Sequence, residues 1–419
     1  MNLSDKINKV RKSKDGKVLI ENFLSLSVLQ VIGYVFPLIT MPYLAKVIGL
    51  DGFGRVAFAA SIVVYFQTLT TFGFNYTAVR DIAQNKDNPR KVSEIFSNVM
   101  FSKIFLMFVS LVIFTVLVYT IPLFYENRKI LWFSFLLIPG HIMFPDWLFQ
   151  AMERMKFITI MNFLSKLLFT LLVFLVVKEK GDYIYEPLLI ALGYLVSGVL
   201  SLVLARKMFH IFLIVPSFST IIGTIKSSFD MFISLFLPNL YTNFSVTLLG
   251  FYGGDAATGI YSSGKKFVDI CDQISSVLSR TFFPFLARRI DKHGLYVCIS
   301  GILSIVMGLC LFFLADLLVD IFYTSEFENA AIVMRIMSVA PFFLFLMNTY
   351  GTNYLVLKGR EDILRNVILF CSIGGFILAW IAIMNLNYIG VAITITTVWG
   401  IRGFLTWFYA RKLKKQFKG

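Results

Sequence analysis

The length of its apolar runs constrains this chain more than any other feature. Stretches such as Phe157–Val177 and residues 295–319 each carry a single charge, and similar runs recur with short polar breaks between them. A helix rises about 1.5 Å per residue, so roughly 20 apolar residues cross a hydrocarbon core about 30 Å thick. Lipid offers the backbone no partners, which makes each run a helix that pairs its own N–H and C=O groups. Composition agrees: 58% of residues are hydrophobic and only 15% charged, where a soluble domain carries about a quarter charged residues. Mean hydropathy is +0.77. The chain is expected to be an all-α integral membrane protein. Hydrophobic windows place twelve transmembrane helices at 19–45, 55–80, 95–119, 130–151, 156–177, 184–205, 227–251, 257–287, 295–319, 331–356, 363–384 and 387–410, which leaves no room in 419 residues for a sizeable soluble domain.

Alternate connections differ sharply in lysine and arginine. Residues 1–19, 80–91, 153–156, 206–226, 288–292, 358–365 and 411–419 hold 26 cations, whereas the opposite set holds six: Lys46, Arg55, Arg128, Lys129, Lys178 and Lys180. Cation-rich connections stay in the cytoplasm, so both termini are expected there. The net charge of +15 is this bias summed and calls for no nucleic-acid partner. The implied organisation is a cytoplasmic basic arm at 1–18, a six-helix bundle at 19–206, a cytoplasmic linker at 207–226, a second six-helix bundle at 227–411 and a basic cytoplasmic tail at 412–419. No small-residue cleavage site follows the arm, which reads as retained.

The two halves resemble each other at an offset near 205 residues. Glu21-Asn22-Phe23 opens the first helix much as Lys226-Ser227-Ser228-Phe229 opens the seventh, the turn Gly49–Gly54 corresponds to Gly253–Gly259, and Asn162 corresponds to Asn366. An even number of spans per half makes these parallel repeats, related by a pseudo-two-fold axis along the membrane normal.

Charges within hydrocarbon mark the candidate site, because each is costly there and must face protein or water. Seven cations fall inside spans: Lys103, Lys166, Lys265, Lys266, Arg280, Arg335 and Arg402. Lys103 and Arg402 lie about two turns from cytoplasmic ends, close enough for long stems to snorkel. Lys166 falls near the midplane, with Asn162 one turn below. In the eighth helix Lys265, Asp269, Asp272, Ser276 and Arg280 recur every three or four residues, which puts them on one stripe flanked by Gln273. Lys265 and Asp269 are spaced to neutralise each other, leaving Asp272 the least compensated. The stripe is either a self-satisfied pair network or a wet wall whose cations meet a pyrophosphate and whose carboxylates carry protons or sodium. Thr68, Asn75, Asn243 and Asn348 add polar groups that suit a sugar's hydroxyls or, equally, hydrogen bonds between helices. Prolines near span ends, Pro37 and Pro238 among them, are candidate kinks.

The four cysteines (Cys271, Cys298, Cys310, Cys371) show no metal spacing and read as small buried hydrophobes. The three histidines are too scattered for a metal site.

The stretch F-P-D-W-L-F-Q-A-M-E-R-M-K-F-I-T (Phe144–Thr159) interrupts hydrocarbon with a tryptophan and a charged turn. Trp147 suits an interfacial anchor. Asp146 and Gln150 share a helix face, either pairing with the nearby basic turn or acting with Trp147 and Arg80 as contacts of a cytoplasmic gate. Together with P-Y-L-A-K-V-I-G-L-D-G-F-G (Pro42–Gly54) and F-G-F-N-Y-T-A-V-R-D-I-A (Phe72–Ala83), this stretch resembles the signatures of bacterial polysaccharide-unit flippases, the O-antigen and capsule-repeat transporters of the multidrug/oligosaccharidyl-lipid/polysaccharide exporter superfamily. The resemblance covers most of the chain and is strongest in its first half. It implies two six-helix bundles around a central cavity in the bacterial inner membrane. By alternating access, an undecaprenyl-pyrophosphate-linked oligosaccharide would move from the cytoplasmic to the periplasmic leaflet. It further implies membrane lipids and other glycan assembly proteins as partners and no enzymatic activity. No nucleotide-binding motif is present, so no cofactor is expected beyond a proton or sodium gradient. The rival within the superfamily is a drug or cation exporter, which would favour an acidic cavity rather than this excess of cations. A membrane glycosyltransferase or glycan polymerase would need an acid/base or metal constellation on an outer loop that the sequence does not supply.

Overall fold

The computed structural model describes residues 14–416, and every regular element among them is a helix. Most of the expected basic arm and the end of the basic tail lie outside the described residues. Eight helices are long and apolar enough to cross a membrane, or nine if one bent pair forms a single broken span. Two of the eight, Val35–Gln84 and Glu361–Lys414, run 50 and 54 residues. Each contains a break, so the number of helices is not the number of crossings. Exposed side chains on these helices are large and apolar, as at Leu175, 71% exposed, and Phe313, 72% exposed. That is the surface lipid requires.

Contacts divide the chain into two units: residues 1–40, 63–177 and 184–235 in one, and 41–62, 178–183 and 236–419 in the other. The first helix, α1 (Lys14–Thr71), breaks at Gly49, whose φ of 67° and ψ of −176° no helix contains. Beyond Thr71 the first unit continues through α2 (Phe74–Gln84), α3 (Pro89–Thr120), α4 (Pro122–Glu126), α5 (Arg128–Phe135), α6 (Leu137–Met143), α7 (Asp146–Ala151), α8 (Met155–Val176), α9 (Tyr185–Phe209), α10 (Phe218–Ser227) and the start of α11 (Phe229–Asn239). Its core holds Phe114 stacked on Phe135 at 4.6 Å, with Phe66 edge-on at 5.3 Å. The small residues Ser197 and Ser201 of α9 are fully buried, and Ser197 donates to the Met161 carbonyl of α8 at 3.0 Å. Small side chains let helix backbones approach closely where no hydrophobic force drives them together.

The second unit contains α12 (Asn243–Tyr252), α13 (Gly254–Arg288), α14 (His293–Phe313), α15 (Ala315–Phe322), α16 (Ala330–Ile336), α17 (Ala340–Leu346) and α18 (Glu361–Gln416). Between α17 and α18 the segment Met347–Leu355 winds as a π-helix. A fully buried cluster of Leu249, Tyr261, Val268, Phe327, Met334 and Ile395 forms its core. α18 turns at Asn387, with φ 55°.

Three windows wind irregularly, though Arg128–Ala151 and Ser325–Lys358 each remain long and apolar enough to cross a membrane. Residues 130–151 comprise α5, α6 and α7, and α6 ends where Pro145 has no N–H to continue the ladder and holds Phe144 in an extended conformation. Residues 227–251 split after Pro238. Residues 331–356 pass through 3₁₀, α and π windings in turn.

Candidate functional site

The polar stripe expected on the eighth helix lies on α13, in the second unit. Lys265 and Asp269 form a direct ion pair one turn apart. Asp272 makes no ion pair among the described residues and is half-buried, in the field of Asp269 and of the cations Lys265, Arg402 and Arg280. Lys266, Gln273 and Arg280 are exposed. Arg402 of α18 is half-buried, and its Nε is shielded without a hydrogen-bond partner. Its place near a helix end set it apart from the stripe in the sequence, and at 130 residues from Asp272 no spacing rule links the two, yet its charge acts on Asp272. Arg335 is taken up by an ion pair with Asp316 of α15, and sequence spacing could not anticipate that partner either.

Behind this stripe the π-helical segment supplies buried polar contacts. Asn353 donates to Ser279 Oγ of α13 at 2.9 Å, and His293 Nε2 lies 3.0 Å from the Thr349 carbonyl. Asn348 sits half-buried in the same segment. On α12 Asn243 donates to Asn239 Oδ1 at 2.8 Å.

A second constellation joins the two turns that match in sequence, and both belong to the second unit. Gly49 and Gly254, 205 residues apart, both take positive φ, 67° and 77°. A Cβ placed on Gly54 would strike the Asp255 carbonyl, and one on Gly259 would strike the Leu50 carbonyl. These contacts exchange under the same offset of 205 residues, so the two turns meet backbone to backbone in a reciprocal way. Arg55 Nε donates to Asp255 at 2.7 Å and its Nη1 to the Tyr183 hydroxyl at 2.6 Å. Glu326 accepts the Leu50 N–H at 3.3 Å and lies 3.9 Å from Lys180. Phe53 sits edge-on against Tyr323 and Phe327. Sequence reading matched the turns but did not single out Arg55 or Asp255. Their position beside matched glycines was the available signal.

In the first unit, Lys166 is half-buried and its Nζ donates to the Gly33 carbonyl at 3.4 Å. Thr68 bonds back to the Val64 carbonyl at 2.8 Å. The residues taken as gate candidates do not gather on one exposed face. Trp147 is no interfacial anchor: it is fully buried and stacked on Phe96 at 5.6 Å. Gln150 is exposed, Asp146 is half-buried, and Arg80 is exposed in an ion pair with Asp81 at 2.8 Å. Lys103, read as snorkelling, is only 4% exposed and donates to Asn75 Oδ1 at 3.3 Å. Cys298 and Cys310 are exposed rather than buried. Among the described residues, no three His, Cys, Asp or Glu side chains gather to hold a metal.

Residues 19–290, well over half of the chain, match the family described as polysaccharide biosynthesis protein. A putative O-antigen transporter of Escherichia coli (strain K12) is 27% identical over 385 residues, covering 90% of this chain and 93% of that protein. Among solved structures, the lipid II flippase MurJ in an inward closed conformation superposes with a TM-score of 0.73 at 13% identity, covering 94% of this chain and 87% of that one. An inward-facing multidrug resistance transporter of the MATE family superposes with a TM-score of 0.67 at 14% identity, covering 95% and 99%. At such identities the two structures establish a shared fold.

Proposed function

The chain belongs to the polysaccharide biosynthesis protein family of flippases, and on that premise we propose that it carries an undecaprenyl-pyrophosphate-linked oligosaccharide from the cytoplasmic to the periplasmic leaflet of the bacterial inner membrane. The finer architecture belongs to the same reading: twelve crossings in two six-helix halves at 19–206 and 227–411, both termini cytoplasmic, moving by alternating access. The linker at 207–226 and the basic segments 1–18 and 412–419 would lie in the cytoplasm, in reach of other glycan assembly proteins. Family membership and the E. coli O-antigen transporter support the substrate class.

The observation that carries the anionic substrate is the charge balance of α13. Lys265 and Asp269 neutralise each other within the helix and Asp255 is held by Arg55, while Lys266 and Arg280 remain exposed along the helix. Charge-assisted bonds to phosphate oxygens are strong where water is scarce. The paired turns around Gly54 and Gly259 supply a periplasmic gate in this reading, closed by the Arg55–Asp255 pair.

The test is complementation. A bacterial strain lacking its own O-antigen flippase should regain surface glycan, detected by lectin binding, when this chain is expressed. Absence of surface glycan with the protein present in the membrane would overturn the reading. The fold shared with a multidrug transporter supports the rival reading of a drug exporter. Energised efflux of a cationic dye without any glycan display would favour that rival.

A further inference from the structure

One cluster of buried and half-buried ionisable groups in the first unit has no part in the stripe of α13 or in the paired turns. It begins with Lys103, the lone cation in the apolar run of α3. Its ammonium has an amide oxygen, Asn75 Oδ1, at 3.3 Å and the Trp147 ring beneath it at 5.6 Å. An amide and a ring face soften a buried charge, but neither neutralises it. The carboxylate able to do so, Asp146 at the start of α7, forms no direct ion pair with it. Asp146 Oδ1 accepts the Trp147 N–H at 2.9 Å, and the charges of Asp146 and Lys103 act on each other across the space between them. His141 of α6 faces the same space, with its ring stacked on Tyr194 of α9 at 4.1 Å.

That space is a cavity of about 50 Å³ lined by Gln67, Thr70 and Asn75 together with Lys103, His141 and Asp146. A few water molecules fill such a volume, since each needs only about 10–15 Å³ and several polar neighbours. An oligosaccharide is too large for it, and the Asp146 carboxylate at its wall opposes an anion such as phosphate. Of the common metal ligands only His141 and Asp146 line it, and a second cation beside the Lys103 ammonium is repelled, by about 4 kcal/mol for two unit charges 4 Å apart at an effective dielectric near 20. A proton carried by water is the ligand whose size and chemistry fit.

We propose that Lys103, His141 and Asp146 form a hydrated proton-exchange site within the first half of the chain, separate from the carboxylates of α13. A proton passed through water from the Asp146 carboxyl to the Lys103 amine leaves the pocket's net charge unchanged. Uptake of one proton from solution raises that charge by one, and His141 offers a third place to hold it. The groups that face this exchange are Lys103 from α3, His141 from α6, Asp146 from α7 and Tyr194 from α9. Lys226 on α10, which packs against α3, is exposed. For its purpose, the coupling of a gradient to movement, the site rests on the transport reading; its existence is measurable without transport.

Trp147 is a built-in reporter, because indole emission responds to a charge that appears or vanishes within several ångströms. The full chain, with Trp132, Trp380, Trp399 and Trp407 replaced by phenylalanine, is placed in lipid nanodiscs and its emission followed from about pH 5 to about pH 10, a range that spans ordinary His and Lys titration. A sigmoidal step is expected. Asp146→Asn and His141→Gln, both close in shape to the native residue, should each abolish the step or move its midpoint by about one pH unit or more, and Lys103→Met should do the same. Asp146→Glu should retain it. Emission flat across the range, a step that survives all three substitutions, or a step produced by sodium at fixed pH overturns the proposal. A flat profile from a chain that restores surface glycan sinks the site alone. A clean step from a chain that restores none sinks the transport reading and leaves the site standing.

Discussion

Asp272 shows how much a single partner decides. Asp269 lies three residues away on the same stripe, yet Lys265 holds it in an ion pair while Asp272 has none among the described residues. A half-buried carboxylate without a bonded cation loses part of its hydration, and nearby cations oppose that loss. Its protonation therefore responds to water access, which changes whenever a transporter opens to the other side. Asp272→Asn should lower transport by about tenfold or more, a barrier increase of about 1.4 kcal/mol, and should flatten its response to a proton or sodium gradient. Asp269→Asn should do less. Reconstituted vesicles with imposed gradients measure both, and an Asp272→Asn protein with the parent's rate and gradient response removes this carboxylate from the mechanism. The cations separate in a related way. Lys166→Ala, Lys265→Ala and Arg280→Ala are expected to lower surface glycan at unchanged protein abundance, whereas Arg335→Ala frees Asp316 and should lower thermal stability first. Normal display by all three of the former excludes a cationic substrate contact.

At the scale of elements, the paired turns are the sharpest feature. Each half contributes a positive-φ glycine, a carbonyl and a second glycine that leaves room for the other turn's carbonyl. Adding a side chain where backbone already sits forces the turns apart, at about 1–3 kcal/mol for ordinary overpacking. Gly54→Val and Gly259→Val should each reduce glycan display severalfold with the protein still in the membrane, and the two should have similar effects because the contact is reciprocal. Normal display by either variant shows that the turns need not close. Helix breaks at Phe144–Pro145 and after Pro238 belong to the same scale. Hydropathy windows register apolar content and are blind to a missing N–H, which is why these spans read as continuous.

At the scale of the whole molecule, the asymmetry of 26 cations against six predicts orientation. On a cysteine-free background, cysteines placed at Asn127 and Asn387 should react with a membrane-impermeant reagent applied to intact cells, and cysteines at Asn88 and Gly294 should not. The reverse pattern would invert the topology. Asn387 is informative because α18 is continuous by hydrogen bonding yet turns there, at φ 55°. If labelling finds no outward access at this break, residues 361–416 do not cross twice.

The all-helical membrane class, the family and the ion pair between Lys265 and Asp269 were legible in the sequence. Each depends on composition or on spacing within one helix, and lipid enforces helices wherever apolar runs are long enough. The match between the two turns was legible too, because glycines at positive φ leave a mark that other residues cannot replace. Only the tertiary structure decided that Lys103 is buried rather than snorkelling, that Trp147 is core rather than anchor, that Arg335 belongs to Asp316 and that Arg55 reaches Asp255 200 residues away. The physical reason is common to all four. A side chain's surroundings depend on which helix faces meet, and that is set by packing between distant segments, of which hydropathy and charge along a single helix carry no record.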